Sequence, residues 1–350
     1  MNTIGFVFSA LRDEMQLPLT QNRTFAALPF ACRYRLVDFP ISSMVNAGIS
    51  NINVIANYNY RSLIQHIGSG KDWDLARYTG GVHIMSPYQN AGRDRQGVYS
   101  TRREALLHMK DYIESMGESI AILSDCNCIA NLDYRKMLET HIKNEAEVTI
   151  AVSENITGQR GEDGSRRLLP VCILSCSLLR QWLSYDGTGD DNLPVDILKK
   201  ETTERRICTY THSGYVAKIE SMEDYFYHSI ALTRNPEVAE SLFGNGAQRI
   251  LTRTHNSTPT RYGERADVID SLVADGCLIE GRVENSIVFR NVRIGRGSVV
   301  RNSILFAGTE IGSDTVLDCV ICDKKVKIGS ERILSGHITM PMYIQKGREV

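Results

Sequence analysis

The sequence predicts an α/β domain with a mostly parallel sheet, followed by a parallel β-helix. Three observations carry that expectation. Over residues 1–235, apolar strand-like runs alternate with amphipathic stretches. Over 236–266 the periodicity fades, and polar and turn residues accumulate. Over 267–350 a short pattern returns every 17 residues.

In the first region, IGFVFSA (4–10), ISNINVIAN (49–57) and ESIAILS (118–124) are short apolar runs that read as buried strands. SLIQHIG (62–68), YSTRREALLHMKDYIESMG (99–117) and DYRKMLETHIKNEA (133–146) space their apolar residues three and four apart, the helical period. Such alternation places helices on both faces of a parallel sheet. Ligands of such sheets sit outside the carboxyl ends of the strands, here at 9–20, 56–61 and 124–131. The stretch NPEVAESLFGNGAQRILTRTHNSTPTRYGERA (235–266) reads as a linker with one short helix. Beyond it, VENSI (283–287) returns as VRNSI (300–304) and, more loosely, as LDCVI (317–321). VRIG (292–295), TEIG (309–312) and VKIG (326–329) recur between them. A step held in two interleaved series means stacked coils, which unrelated hairpins do not explain. About six residues per face suits a three-faced parallel β-helix, with Ile, Val and Leu inward and each coil burying the next.

Composition narrows the function classes. The chain has 350 residues, 42% hydrophobic and 23% charged, as expected for a soluble protein of two domains. A net charge of −1 gives no global attraction to nucleic acid or membrane, so any anion site must be local. No window approaches ~18 uninterrupted apolar residues. The N-terminal MNTIGFVFSA lacks a basic n-region. Both point to a cytoplasmic protein, and nine scattered cysteines suit a reducing compartment. Cys126-x-Cys128 and Cys319-x-x-Cys322 lack a second pair at zinc-ligand spacing, so they are expected as small buried residues. A β-helix that transfers acyl groups generally needs a base, often histidine. None lies between 256 and 336, and His337 falls beyond the last full coil, which favours assembly as the β-helix's purpose.

The segment FACRYRLVDFPISSMVNAGISNINVIANYNYRSLIQHIGSGKDWDL (30–75) resembles the glucose-1-phosphate adenylyltransferase (ADP-glucose pyrophosphorylase) family. That family shows G-G-K-Y-R-I-I-D-F-x-L-S-N-x-x-N-S-G-I here, then a Tyr- and Leu-rich helix and a W-D-like stretch. The likeness covers most of the chain. It is nearest to the GlgD-type subunits found beside a catalytic GlgC-type subunit in some bacteria. The resemblance implies a nucleotidyltransferase domain (GT-A-like, Rossmann-like) followed by a left-handed β-helix. The family reaction joins ATP and glucose 1-phosphate to give ADP-glucose and pyrophosphate. It needs donors for the triphosphate, carboxylates for Mg2+ and a cation over the sugar phosphate.

This chain departs from that pattern position by position. The family's phosphate loop, G-G-x-G-x-R-L, stands before an L-T pair. Counting back from Leu19-Thr20, its positions hold Ala10, Leu11, Arg12, Asp13, Glu14, Met15 and Gln16. Glycines there let backbone N–H groups cradle anions. Here Asp13 and Glu14 add charges that repel a triphosphate by several kcal/mol at ~4 Å, and Met15 replaces the arginine. Arg12 supplies charge but not loop geometry. The family's R-x-K-P-A-V-P becomes Arg23-Thr24-Phe25-Ala26-Ala27-Leu28-Pro29, with Phe25 at the catalytic-type lysine. Anchored on Leu132-Asp133-Tyr134, the first metal carboxylate falls on Asn127, with Asp125 two residues away as a carboxylate that could compensate. Anchored on Gly214-Tyr215 and Tyr225, the second falls on Lys218, an ammonium where Mg2+ needs oxygen ligands. The family's E-K-P lysine has no counterpart, and the chain is short between Ala151 and Val171. Tyr99 and Glu104 align with the sugar-side Y-x-G-T-A-D-A, but Thr101 replaces its glycine, so both read as structural. Arg23 and Arg35 match arginines that, in the family, help bind phosphate-bearing effectors between the domains; alternatively, Arg35 pairs with Asp38 or a neighbouring subunit.

The resemblance therefore implies a catalytically weak or inactive subunit that modulates a catalytic GlgC-type partner in a heterotetramer, in glycogen or starch-like polymer synthesis. A homo-oligomer is the other assembly it allows. This chain is expected to bind no cofactor, Mg2+ and ATP being used by the partner, and to respond to a phosphate-bearing effector. No nucleic acid or membrane is expected. Two readings stay beside it: an active nucleotidyltransferase with a different metal and phosphate set, and a purely structural assembly subunit.

Overall fold

The computed structural model describes residues 2–9, 18–86, 99, 101–153, 156–157, 167–184, 206–244 and 248–350. The phosphate-loop positions Ala10–Gln16, with Met15, lie outside the described residues, as does most of the shortened stretch after Ala151. The central sheet has seven strands: β1 (Thr3–Phe8), β2 (Asn51–Ile55), β3 (Gly81–Met85), β4 (Ile120–Asp125), β5 (Val148–Ser153), β6 (Arg167–Ser175) and β7 (Ile207–His212). Their order is β7-β5-β6-β4-β1-β2-β3, and all neighbours are parallel except β6, which opposes both β4 and β5. Every residue of β1 is buried, the continuous apolar pattern of a strand covered on both faces. A side chain at Gly5 would collide with Met44, which packs against β1. The strand order reverses between β1 and β4, so the crevice outside Phe8 and its register partner Asp125 is the switch point where such sheets bind ligands.

The α-helices among the described residues are α1 (Asp38–Asn46), α2 (Arg61–Ile67), α3 (Arg102–Leu107), α4 (Lys110–Ser115), α5 (Tyr134–Lys143), α6 (Cys176–Ser184), α7 (Met222–Arg234) and α8 (Pro236–Phe243). The single helix expected over 99–117 is thus two. Met109 N–H bonds Leu106 three residues back, whereas Ile113 N–H bonds Met109 four back. Ala105, Leu106, Met109 and Ile113 stay buried across the break, so the apolar stripe conceals it. Within 236–266 the structure places α8, with Asn235 accepting from Glu237 N–H and Pro236 in its first turn. It also places there the strand Arg261–Tyr262, which pairs with Leu278–Ile279 in the first coil.

The β-helix consists of three five-stranded parallel sheets, one per face. Val283, Val300 and Leu317 stack in register, as do Ile287, Ile304 and Ile321, and Ile294, Ile311 and Ile328. The earlier step, Val268 to Val283 and Ile279 to Ile294, is shorter because the turn after Leu278–Ile279 is abbreviated at Gly281. A Cβ there would overlap the Ser298 carbonyl. The last coil carries an insertion: Cys322 pairs with Ile344, and His337 and Met340 bridge a protruding turn between them. His337 therefore lies in this insertion, inside the last coil rather than beyond it.

The repeated Asn-Ser has a physical basis. Asn285, Asn302 and Cys319 occupy the left-handed turn position, at φ 50°, 45° and 54°. Asn285 Nδ2 donates to Asn302 Oδ1 (2.6 Å), and Asn302 Nδ2 donates to Asp318 Oδ1 (2.9 Å). The hydroxyls of Ser271, Ser286 and Ser303 accept from the backbone N–H one coil on, at Ser286, Ser303 and Val320. The two domains share one core, from Leu19, Phe25 and Tyr225 to Ile287, Phe306 and Ile321. Along that seam Thr233 Oγ1 donates to Asn285 Oδ1 (2.6 Å), and Arg234 donates to Asn302 Oδ1 (2.8 Å). No helix among the described residues is long and apolar enough to cross a membrane.

Candidate functional site

Asp125 is the last residue of β4 and opens onto the switch point. Both of its carboxylate oxygens are taken by Arg102: Nε donates to Oδ1 at 2.9 Å, and Nη2 donates to Oδ2. Arg102 is the first residue of α3, which is capped by Thr101 Oγ1 accepting from Glu104 N–H (3.0 Å). Its guanidinium lies 5.9 Å from the centre of the Phe8 ring. Side-chain exposure is 16% for Arg102 and 11% for Asp125, so the pair is largely withdrawn from water. Sequence reasoning missed Arg102, although the aligned Y-x-G-T-A-D-A stretch already puts it where the family has threonine.

Asn127 and Lys218, anchored on separate stretches of sequence, come together. The strand Cys128–Ile129 pairs antiparallel with Val216–Lys218, Lys218 opposite Cys128. Ile219 N–H donates to the Asn127 carbonyl at 2.9 Å. Lys218 Nζ forms an ion pair with Glu220 (2.6 Å). Asn127 Oδ1 is buried and has no hydrogen-bond partner among the described residues. Phe25 lies in a single helical turn, Phe25–Ala27, and is 3% exposed, so the lysine position has become part of the core. Tyr99 is held by Asn57 through its own backbone N–H and carbonyl, both at 3.0 Å.

This donor set does not fit Mg2+, which needs several unencumbered oxygens. The aligned metal positions hold an amide and an ammonium, Asn127 and Lys218, and the carboxylate two residues before Asn127, Asp125, is bound to a guanidinium. Among the described residues no group of three His, Cys, Asp or Glu could hold a metal ion.

The second cluster lies between the domains. Arg23 is 2% exposed; its guanidinium donates to Leu19 O (2.9 Å) and to Asp323 Oδ1 of the β-helix (2.5 Å), and sits over Phe306. Arg35 donates through its guanidinium to Ser62 O (2.7 Å) and through its backbone N–H to Asp38 Oδ2 (2.9 Å). Asp38 Oδ1 meets His66 Nε2 at 2.6 Å. Burial depresses the Arg35 pKa to about 10, with Arg23 and Arg253 adding to the effect and Asp38 opposing it. Lys324, which sequence reasoning also missed, is pushed down to about 8 by burial, then by Arg35 and Arg23; Asp323 opposes this and Lys346 adds to it. The region therefore holds more cationic charge than Asp323 neutralises, a surplus that an anion relieves.

Models of known families match the two domains separately: a nucleotidyl transferase over residues 16–160 and a GlmU-like C-terminal hexapeptide region over 256–335. The chain is 36% identical to the glycogen biosynthesis protein GlgD of Bacillus subtilis over 284 residues, 81% of this chain and 78% of that protein. It is 37% identical to the GlgD of Geobacillus stearothermophilus over 300 residues, 85% and 82% of the two chains. The chain belongs to the GlgD branch of the glucose-1-phosphate adenylyltransferase family. A glucose-1-phosphate adenylyltransferase of Geobacillus stearothermophilus is 30% identical, covering 81% of this chain and 79% of that enzyme. The family's nucleotidyltransferase fold and left-handed hexapeptide β-helix are thus both present.

Proposed function

We propose that this chain acts in glycogen biosynthesis as the modulating subunit of an ADP-glucose pyrophosphorylase, with little or no turnover of its own. The observation that carries the reading is the Asp125–Arg102 pair: the carboxylate at the end of β4 is already met by a side-chain cation. Phe25 in the core is a second obstacle to catalysis. Geobacillus stearothermophilus has both a GlgD and an adenylyltransferase similar to this chain, which supports a pairing of the two types. In this reading the partner is a catalytic GlgC-type subunit in a cytoplasmic heterotetramer. That subunit uses the Mg2+ and ATP. A phosphate-bearing effector binds at the cationic cluster of Arg35, Lys324 and Lys346, beside the Arg23–Asp323 pair. Coupling of about 1–3 kcal/mol between subunits changes effector affinity 5- to 150-fold, enough for a regulatory role without chemistry.

The test is a mixing assay. The purified chain is given ATP, Mg2+ and glucose 1-phosphate, alone and with a GlgC-type subunit. The expected result is negligible ADP-glucose formation alone, and a changed rate or effector response in the mixture. Substantial turnover by the chain alone would establish an independent enzyme. Co-purification with no change in rate or response would leave a structural subunit only.

A further inference from the structure

We propose that Arg102 is the resident cation of the switch-point site: its guanidinium has taken over the carboxylate that would otherwise help hold a divalent metal, making the site metal-independent and closed to metal. This deepens the reading of the chain as a weakly catalytic subunit and rests on it.

Three observations converge. Asp125 stands at the carboxyl end of the strand bordering the reversal in strand order, where sheets of this kind bind their ligands. Its two oxygens meet Arg102 in the fork geometry that fixes both partners, and the guanidinium is planar and permanently charged. Arg102 is itself held, by the cap of α3 behind it and the Phe8 ring beneath it. Residue changes at Asn127 and Lys218 alone would leave Asp125 available to a metal; the pairing removes it. A surface ion pair would carry no such meaning, but this one is largely desolvated, so releasing Asp125 to a metal means breaking a charge pair held away from water. Reversal of the substitutions at Asn127 and Lys218 is therefore insufficient by itself to rebuild a metal site.

The test uses Mn2+ alone as probe, measured by electron paramagnetic resonance or water-proton relaxation on the full chain, with no activity readout. The wild type is compared with Asn127→Asp/Lys218→Asp and with the same pair carrying Arg102→Ala. The expected result is Mn2+ affinity at least tenfold tighter in the triple variant than in the double, returning to the double-variant level when Asp125→Asn is added. Arg102→Gln, which keeps an N–H donor toward Asp125 and removes the charge, replaces Arg102→Ala if that variant does not fold. Equal affinity in the double and triple variants, with either replacement, would overturn the proposal, as would tight Mn2+ binding by the wild type. Because the measurement needs no partner subunit, its failure is separable from a failure of the mixing assay.

Discussion

Asp323→Ala tests whether the two domains are held by a buried charge pair. Arg23 and Asp323 have side-chain exposures of 3% and 1% and meet at 2.5 Å across 300 residues of chain. Asp323 Oδ2 also accepts from Tyr343 Oη (2.8 Å), and Oδ1 accepts from Lys324 N–H (2.6 Å). Alanine removes these acceptors together and leaves a guanidinium buried over Phe306 with the Leu19 carbonyl as its remaining hydrogen-bond acceptor among the described residues. Removing one partner of such a pair costs about 3–5 kcal/mol, dominated by the stranded charge. Replacing both, as Arg23→Met with Asp323→Leu, exchanges the pair for apolar contact and should recover most of that loss. Urea unfolding followed by far-UV circular dichroism measures the change. The fluorescence of Trp73 and Trp182, both in the first domain, shows whether the domains still unfold together. A loss below about 1 kcal/mol in Asp323→Ala, or a double variant no more stable than the single, would refute the reasoning.

Anion binding at the interdomain cluster should depend on Lys324. With its pKa near 8, protonated lysine is lost as pH rises through that value, so sulfate affinity measured by calorimetry should fall between pH 7 and 9, and Lys324→Met should flatten the profile. Without anion the sign for stability is opposite: between about 8 and the ordinary lysine value of 10.5 the unfolded chain binds more protons, so this group's contribution rises with pH. Cys319→Asn should raise the midpoint of thermal unfolding, by the equivalent of about 1 kcal/mol, because residue 319 sits at φ 54° where asparagine is better tolerated and extends the amide ladder of Asn285 and Asn302.

What the sequence displays depends on how far apart the deciding residues lie. The β-helix declares itself because each coil solves the same packing problem, so inward Ile and Val recur at one step. It hides its first coil where the short turn at Gly281 changes the step. The α3–α4 break is silent because burial continues through Met109. Asn127 and Lys218 could be placed together because flanking motifs anchor each one independently, and strand pairing then brings them side by side. The pairing of Arg102 with Asp125 could not, since nothing local to either residue names the other. Asp323 and Lys324 are equally silent: they belong to a β-helix turn whose meaning comes only from the domain packed against it.

The geometry also divides the labour of the two arginines at the seam. Arg23 is enclosed, with its charge met by Asp323, its Nη1 on Leu19 O and its face on Phe306. Contact with an incoming phosphate would require breaking that pair, at the cost argued above. Arg35 is half-buried where Arg23 is enclosed, and burial with the neighbouring arginines pushes the Lys324 pKa down to about 8. A phosphate would therefore relieve Arg35 and Lys324 first, while Arg23 sets the potential they feel. The stretch from Arg23 to Pro29 then does something different from its catalytic counterpart. Its lysine position, Phe25, is in the shared core, and its end, the Pro29 carbonyl, accepts from Tyr225 Oη of α7 (2.5 Å). The same helix reaches the asparagine ladder through Thr233 and Arg234. Charge arriving at the seam thus acts on a stretch tied to the β-helix at one end and to α7 at the other. In this chain that segment connects packed domains, so under the proposed modulating role a charge bound at the seam acts through those connections.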